Sequence, residues 1–170
     1  MSLISNSNIN KKKNMNINPI SEYVGEILRS AGWSVDRKVS TDLYQSYFRR
    51  EGMSYFPDAI EILENFGGLK VNPPLNPDRV YATGEIEFDP IMADWTTEVI
   101  AWEKKMEEPL CCLGSIWGDN ALLVLSEKGV FYSLSEVGVH NIADNLADAL
   151  EVLIAATSKP SQVYKIEDLF

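Results

Sequence analysis

Apolar positions along the first third of the chain recur every three or four residues. Ile20, Tyr23, Val24, Ile27, Leu28 and Ala31 follow Asn18-Pro19 and stop at Gly32, which predicts an amphipathic helix of about three turns. A second helix is expected from Ser40 or Thr41, with Leu43, Tyr44, Tyr47 and Phe48 on one side and Gly52 after it. A third opens on Phe56-Pro57-Asp58, places Ala59, Ile60, Leu63 and Phe66 inward, and ends at Gly67-Gly68. The period then shortens. Leu69 to Val71 reads as a strand, Pro73, Pro74 and Pro77 forbid regular pairing, and Arg79 to Phe88 reads as a further strand closed by Asp89-Pro90. Ile91, Trp95, Val99, Trp102 and Met106 mark one long helix. Leu110 to Trp117, Ala121 to Ser126 and Val130 to Leu134 then make a meander through two turn-rich loops, Gly118-Asp119-Asn120 and Glu127-Lys128-Gly129. A last helix is expected over Ala143 to Ala156.

Helices and strands are thus segregated rather than alternated. The expected fold is α+β, a single domain whose mostly antiparallel sheet has helices packed around it. Its expected limits are residues 18–157, between a disordered polar lead (1–17) and a C-terminal tail (158–170). The lead, rich in Asn with Lys11 to Lys13, has no apolar run of the length a secretory signal needs and too few apolar side chains to offset the entropy of ordering.

Gly67-Gly68 could suggest a ligand loop, but phosphate-binding glycine motifs precede a helix and this pair follows one. A turn is the simpler account, with the first glycine left-handed as a helix cap and the second easing entry to the sheet.

Composition narrows the function by exclusion. Apolar residues are 45% of the 170 and charged residues 24%, ordinary for a globular protein, and no apolar stretch nears the ~20 residues of a bilayer span. A soluble cytoplasmic protein is expected. The formal charge is −10; setting aside the three lysines of the lead leaves 12 basic residues against 25 acidic, a net of −13. Such a surface repels nucleic-acid phosphates and attracts basic partners. The two cysteines, Cys111 and Cys112, lie mid-strand, where a disulfide between neighbours is strained. With His140, the single histidine, Cys111 or Cys112 could form a hydrolytic pair, yet nothing in the sequence lowers the thiol pKa, and burial as small apolar side chains is the better account. Two adjacent thiols and one imidazole do not make a zinc site, and no cofactor or metal is expected. Glu85, Glu87 and Asp89 alternate along a strand and should share one solvated face. With Asp94, Asp119 and a candidate aromatic anchor, Trp117, they are the expected partner-binding residues.

Several punctuated segments point in one direction. Ala31-Gly32-Trp33 with Arg37, the Phe66-Gly67-Gly68-Leu69 junction, Phe88-Asp89-Pro90, and Leu113-Gly114 leading to Gly129-Val130-Phe131-Tyr132 resemble the SUKH superfamily, in particular its third subgroup, over about residues 19 to 155. The chain departs from the family pattern at Asp36, where a glycine is usual, and in lacking a Pro-Leu-Gly run near Leu110. The resemblance implies an α+β domain with a largely antiparallel sheet. It also implies a bacterial immunity protein that binds and neutralises a cognate toxin, frequently a nuclease, in the cytoplasm, without catalysis. Trp33, Arg37, Gly67, Gly68, Leu69, Gly114, Gly129 and Tyr132 are the motif positions, expected to serve mainly the fold. Two other readings compete: an adaptor or regulatory scaffold with an endogenous protein partner, and the small hydrolase using Cys112 and His140.

Overall fold

The computed structural model describes residues 20–170, so the expectations for the lead and for a helix start at Asn18-Pro19 lie outside the described residues. Three helices come first: α1 (Glu22–Ser30), α2 (Asp42–Glu51) and α3 (Pro57–Phe66). Ser21 caps α1, accepting from the Val24 N–H at 3.2 Å. Gly52 ends α2 in the left-handed region. The buried face of α3 is Ala59, Ile62, Leu63 and Phe66, so Ile62 replaces the expected Ile60. Leu43, expected inward on α2, is 77% exposed, because that helix buries Tyr47 and Phe48 instead.

The described residues form a seven-stranded antiparallel sheet in sequential order. Its strands are β1 (Lys70–Val71), β2 (Ile86–Glu87), β3 (Leu110–Ile116), β4 (Ala121–Ser126), β5 (Phe131–Ser135), β6 (Gly138–Ala143) and β7 (Ser161–Lys165). Every residue of β3 and β4 is buried, which explains their unbroken apolar runs: both faces of these central strands are covered. The helices α3, α4 (Pro90–Ala93) and α5 (Thr96–Met106) pack on β3, and α6 (Leu146–Leu150) packs on β6. Trp102 of α5, 1% exposed, lies 6.0 Å from the Tyr164 ring of β7. The fold is therefore α+β, as expected.

Four expectations need correction. The strand foreseen over Arg79–Phe88 reduces to Ile86–Glu87, because the segment before it has another task. α6 runs on into a wider π-type turn, Glu151–Ala155, whose closing carbonyls need donors. Asn76 Nδ2 donates to Ala155 O at 2.8 Å, the Val80 N–H to Ala156 O at 2.8 Å, and the Tyr81 hydroxyl to Val152 O. The long helix over Ile91–Met106 is broken at Asp94, which takes φ 45°, leaving α4 and α5. The last helix starts at Leu146 rather than Ala143, since Gly138–Ala143 is occupied as β6 and Asn145 supplies the cap, accepting from the Asp148 N–H at 2.9 Å. Finally, the segment expected as a tail contributes β7, paired to β6 through Val139 and Tyr164.

The glycine pair turns, but with the roles exchanged. Gly67 has φ −51° and ψ 133°, and Gly68 is the left-handed residue at φ 79°. Gly67 is demanded by space: a Cβ there would stand 2.5 Å from Leu63 O and 2.9 Å from Tyr44 Cε2. Gly68 then aims its N–H at Phe88 O (2.8 Å), and Phe88 N–H answers to Leu69 O (2.9 Å). The junction is the seam between α3 and the first edge of the sheet.

Candidate partner-binding groove

Most of the motif residues named from the sequence gather at that seam, while Gly129 and Tyr132 lie at the β4–β5 hairpin. Arg37 donates from Nη1 to Asn65 O and from Nη2 to Gly67 O, both at 2.8 Å, so its guanidinium closes the C-terminal end of α3. Trp33 stacks on Phe66 with centroids 6.0 Å apart and planes 13° apart, and Phe66 meets Phe88 at 5.2 Å. Leu69, 5% exposed, fills the space beneath. Gly114 lets β2 cross close by; a Cβ on it would sit 1.9 Å from Glu87 O. Gly129 closes the β4–β5 hairpin with its N–H on Ser126 O at 2.9 Å, and Tyr132 is half-buried on β5. Burial raises the Tyr132 phenol pKa.

The chemistry considered for Cys112 and His140 has no geometry to support it. Cys112 is on β3 and His140 on β6, with β4 and β5 between, so about 14 Å of sheet separates them at ordinary strand spacing. Burial pushes the Cys112 thiol up to about 12 and raises Cys111 well above its usual value. Both are free thiols packed in the core. No group of three or more His, Cys, Asp or Glu side chains among the described residues could hold a metal ion.

The expected partner-binding acids divide. Glu85 and Glu87 share one face and converge on Lys70, whose Nζ lies 3.5 Å from Glu85 Oε1 and 3.6 Å from Glu87 Oε2. The two carboxylates, Glu85 first, raise the lysine pKa. Asp89 serves as the cap of α4: its Oδ1 accepts from the N–H of Ile91 at 3.0 Å and of Met92 at 3.3 Å. Asp94 is exposed at the break between α4 and α5.

Trp117 and Asp119 fall together on the lining of a groove of about 610 Å³. The β3–β4 turn that carries them is stiff. Trp117 and Asp119 both have positive φ (56° and 67°), Ser115 Oγ donates to the Asp119 carboxylate, and Asn120 Nδ2 donates to Trp117 O at 2.6 Å. The stretch before β2 is pressed against this turn: Gly118 N–H bonds Glu85 O at 3.1 Å, and a Cβ on Gly84 would lie 2.7 Å from Trp117 Cα. Tyr81 meets Trp117 edge-on at 6.2 Å and 86°. Burial carries the Tyr81 hydroxyl up to about 12. Trp95 supplies a third aromatic wall, and Glu136 and Val137, both exposed, come from the β5–β6 hairpin. His140 and Lys159 complete the charged and titratable lining, and burial lowers the His140 pKa, favouring the neutral ring. The groove thus draws on five separate segments. Trp117 and Asp119 were visible in the sequence; Tyr81, Trp95, Glu136 and Lys159 carried no local signal, because only the folded chain brings them within reach.

The model of the SUKH-3 immunity protein family matches residues 20–156. This chain belongs to that family. The comparison with curated proteins found no match, and neither did the comparison with solved structures. The matched segment of this SUKH-3 protein runs from the entry to α1 through the π-type turn, and includes the whole aromatic seam at Trp33, Arg37 and Gly67-Gly68. It stops before Lys159, Pro160 and β7, so one wall of the groove lies outside it. Among the described residues no helix is long and apolar enough to cross a membrane.

Proposed function

We propose that this SUKH-3 protein binds and neutralises a cognate toxin, a basic nuclease domain, in the cytoplasm by covering its active surface, with no bond made or broken. The observation that carries this reading is the groove around Trp117 and Asp119: three aromatic side chains in a concavity, with carboxylates on its lining, in a chain of net charge −10. A groove of this kind fits the anatomy of an interaction hot spot, a desolvated aromatic centre with a polar rim. Glu85 and Glu87, which converge on Lys70, and Asp94 are further acids offered to the partner, and Asp89 caps α4. The negative field speeds encounter with a cationic partner and holds nucleic acid away, so occlusion of the nucleic-acid cleft follows from charge complementarity.

The test is co-expression. A toxin whose C-terminal domain is encoded next to this gene is the expected partner: that domain should arrest growth alone, and the wild-type protein should restore growth and form a one-to-one complex by light scattering. Trp117→Ala should weaken that complex by about 2 kcal/mol or more, roughly thirtyfold, the range of a hot-spot aromatic. Replacing Glu85 and Glu87 by lysine should slow association, more at low salt than at high. If growth is not restored by the wild type, or the complex forms equally well with Trp117→Ala, this reading is wrong.

A further inference from the structure

We propose that the groove is a socket for an arginine side chain of the partner, stacked on an indole face and held by Asp119 and Glu136. The inference rests on the reading of the groove as the docking centre and adds the chemistry of what enters it. Three observations lead to it. The walls are Tyr81, Trp95 and Trp117, and the indole N–H of Trp117 is buried without a hydrogen-bond partner among the described residues, its ring edge-on to Tyr81 at 6.2 Å. What this ring offers an incoming group is therefore its π surface rather than its polar edge, and an aromatic face attracts a cation. Second, both acids on the lining are exposed, and both present acceptors only. Third, burial lowers the pKa of His140, which favours the neutral ring and weakens its opposition to a cation; Lys159, exposed, is outnumbered by the two carboxylates.

The complement of a π-walled, acceptor-rimmed groove is a planar cation with many donors and no acceptor. That describes a guanidinium better than an ammonium: it stacks flat on an indole, sheds water more readily, and can fork towards a carboxylate through two N–H groups. At about 610 Å³ the space exceeds one side chain, so the arginine arrives on the tip of a loop whose neighbouring backbone can meet Asn120 and Ser135.

The experiment uses the whole chain and three probes: acetyl-Gly-Arg-Gly-amide, its citrulline counterpart, which has the same shape without the charge, and acetyl-Gly-Glu-Gly-amide. Binding is followed at low salt by the indole N–H signals of 15N-labelled protein. The arginine peptide should shift the Trp95 and Trp117 signals in a saturable way, and the citrulline peptide should bind at least about tenfold more weakly. The isosteric pair Asp119→Asn with Glu136→Gln should lower arginine binding by a similar factor while the remaining spectrum shows the fold intact; asparagine tolerates the left-handed backbone at 119. Equal binding of arginine and citrulline, preference for the glutamate peptide, or no shift with the arginine peptide overturns the proposal. The outcomes separate from those of co-expression. Growth rescue without arginine binding removes the socket and leaves the immunity function, whereas arginine binding without rescue removes the function and leaves the socket.

Discussion

Removing the Arg37 side chain tests whether the family's arginine serves the fold. Its guanidinium makes two hydrogen bonds of 2.8 Å to Asn65 O and Gly67 O, carbonyls that no further helical turn can satisfy. A hydrogen bond from a charged donor contributes about 1.5–3 kcal/mol, and a cation at a helix C-terminus adds about 0.3–1 kcal/mol. The site is half-buried, so water recovers part of what Arg37→Ala removes. About half of the gross figure for the two bonds and the charge, about 2–3 kcal/mol, is the expected loss. In urea that is a fall of about 1–1.5 M in midpoint at a slope of about 2 kcal/mol per M, with the slope unchanged because the folded surface is the same. Arg37→Lys is the informative control: a lysine keeps the charge near the helix end but cannot fork to two carbonyls from one rigid plane, so it should recover less than half of the loss. Equilibrium urea unfolding followed by tryptophan fluorescence measures all three proteins. A loss under about 0.5 kcal/mol in Arg37→Ala, or full recovery in Arg37→Lys, refutes the clamp and returns Arg37 to the surface as a free cation.

Three further outcomes are expected. Gly68→Val should cost about 1–3 kcal/mol in the same assay, since φ 79° is costly for a β-branched residue while no atom within 4 Å would obstruct its Cβ; Gly68→Asn should cost clearly less, and equal costs would show that crowding rather than backbone conformation rules the site. With Cys112 at about 12, about one thiol in ten thousand is ionised at pH 8, so both cysteines should resist iodoacetamide in the native protein and react after unfolding; rapid native labelling would reopen the hydrolase reading. His140 has a folded pKa below the ordinary histidine value of 6.5, so the unfolded chain takes up the proton first as the pH falls; the stabilisation is present above 6.5 and is lost as the pH falls towards the folded value. Urea midpoints at about pH 7.5 and 5.5 should therefore differ less in His140→Gln than in the wild type, and an unchanged difference would remove His140 as a contributor.

The legible parts of this protein are those in which neighbours in sequence are neighbours in space. The three leading helices, the β3–β4–β5 meander and the turning role of Gly67-Gly68 follow from periodicity and turn chemistry, because a helix face or a hairpin is encoded within about ten residues. Strands β6 and β7 escaped because GVHNIA and SQVYK lack a clean alternation: they lie at and next to the sheet edge, where one side chain in two need not be buried. The stretch ahead of β2 looked like a strand and instead satisfies the carbonyls of a π-type turn some seventy residues away. Asp89 looked like part of an acidic stripe and instead caps a helix that local pattern had merged with its successor.

From sequence alone came the α+β class, the anionic character, and the family through motifs spread over the seam of α3 and the β4–β5 hairpin, because composition and spacing survive without coordinates. Tertiary structure alone decided which of two glycines is left-handed, which acids pair with Lys70 and which caps a helix, and that Tyr81, Trp95, Trp117, Asp119, Glu136 and His140 share one groove. The physical reason is that a groove is a property of chain crossings: its walls come from segments up to about eighty residues apart, held together by the burial of β3 and β4 between them, and no local period records that meeting.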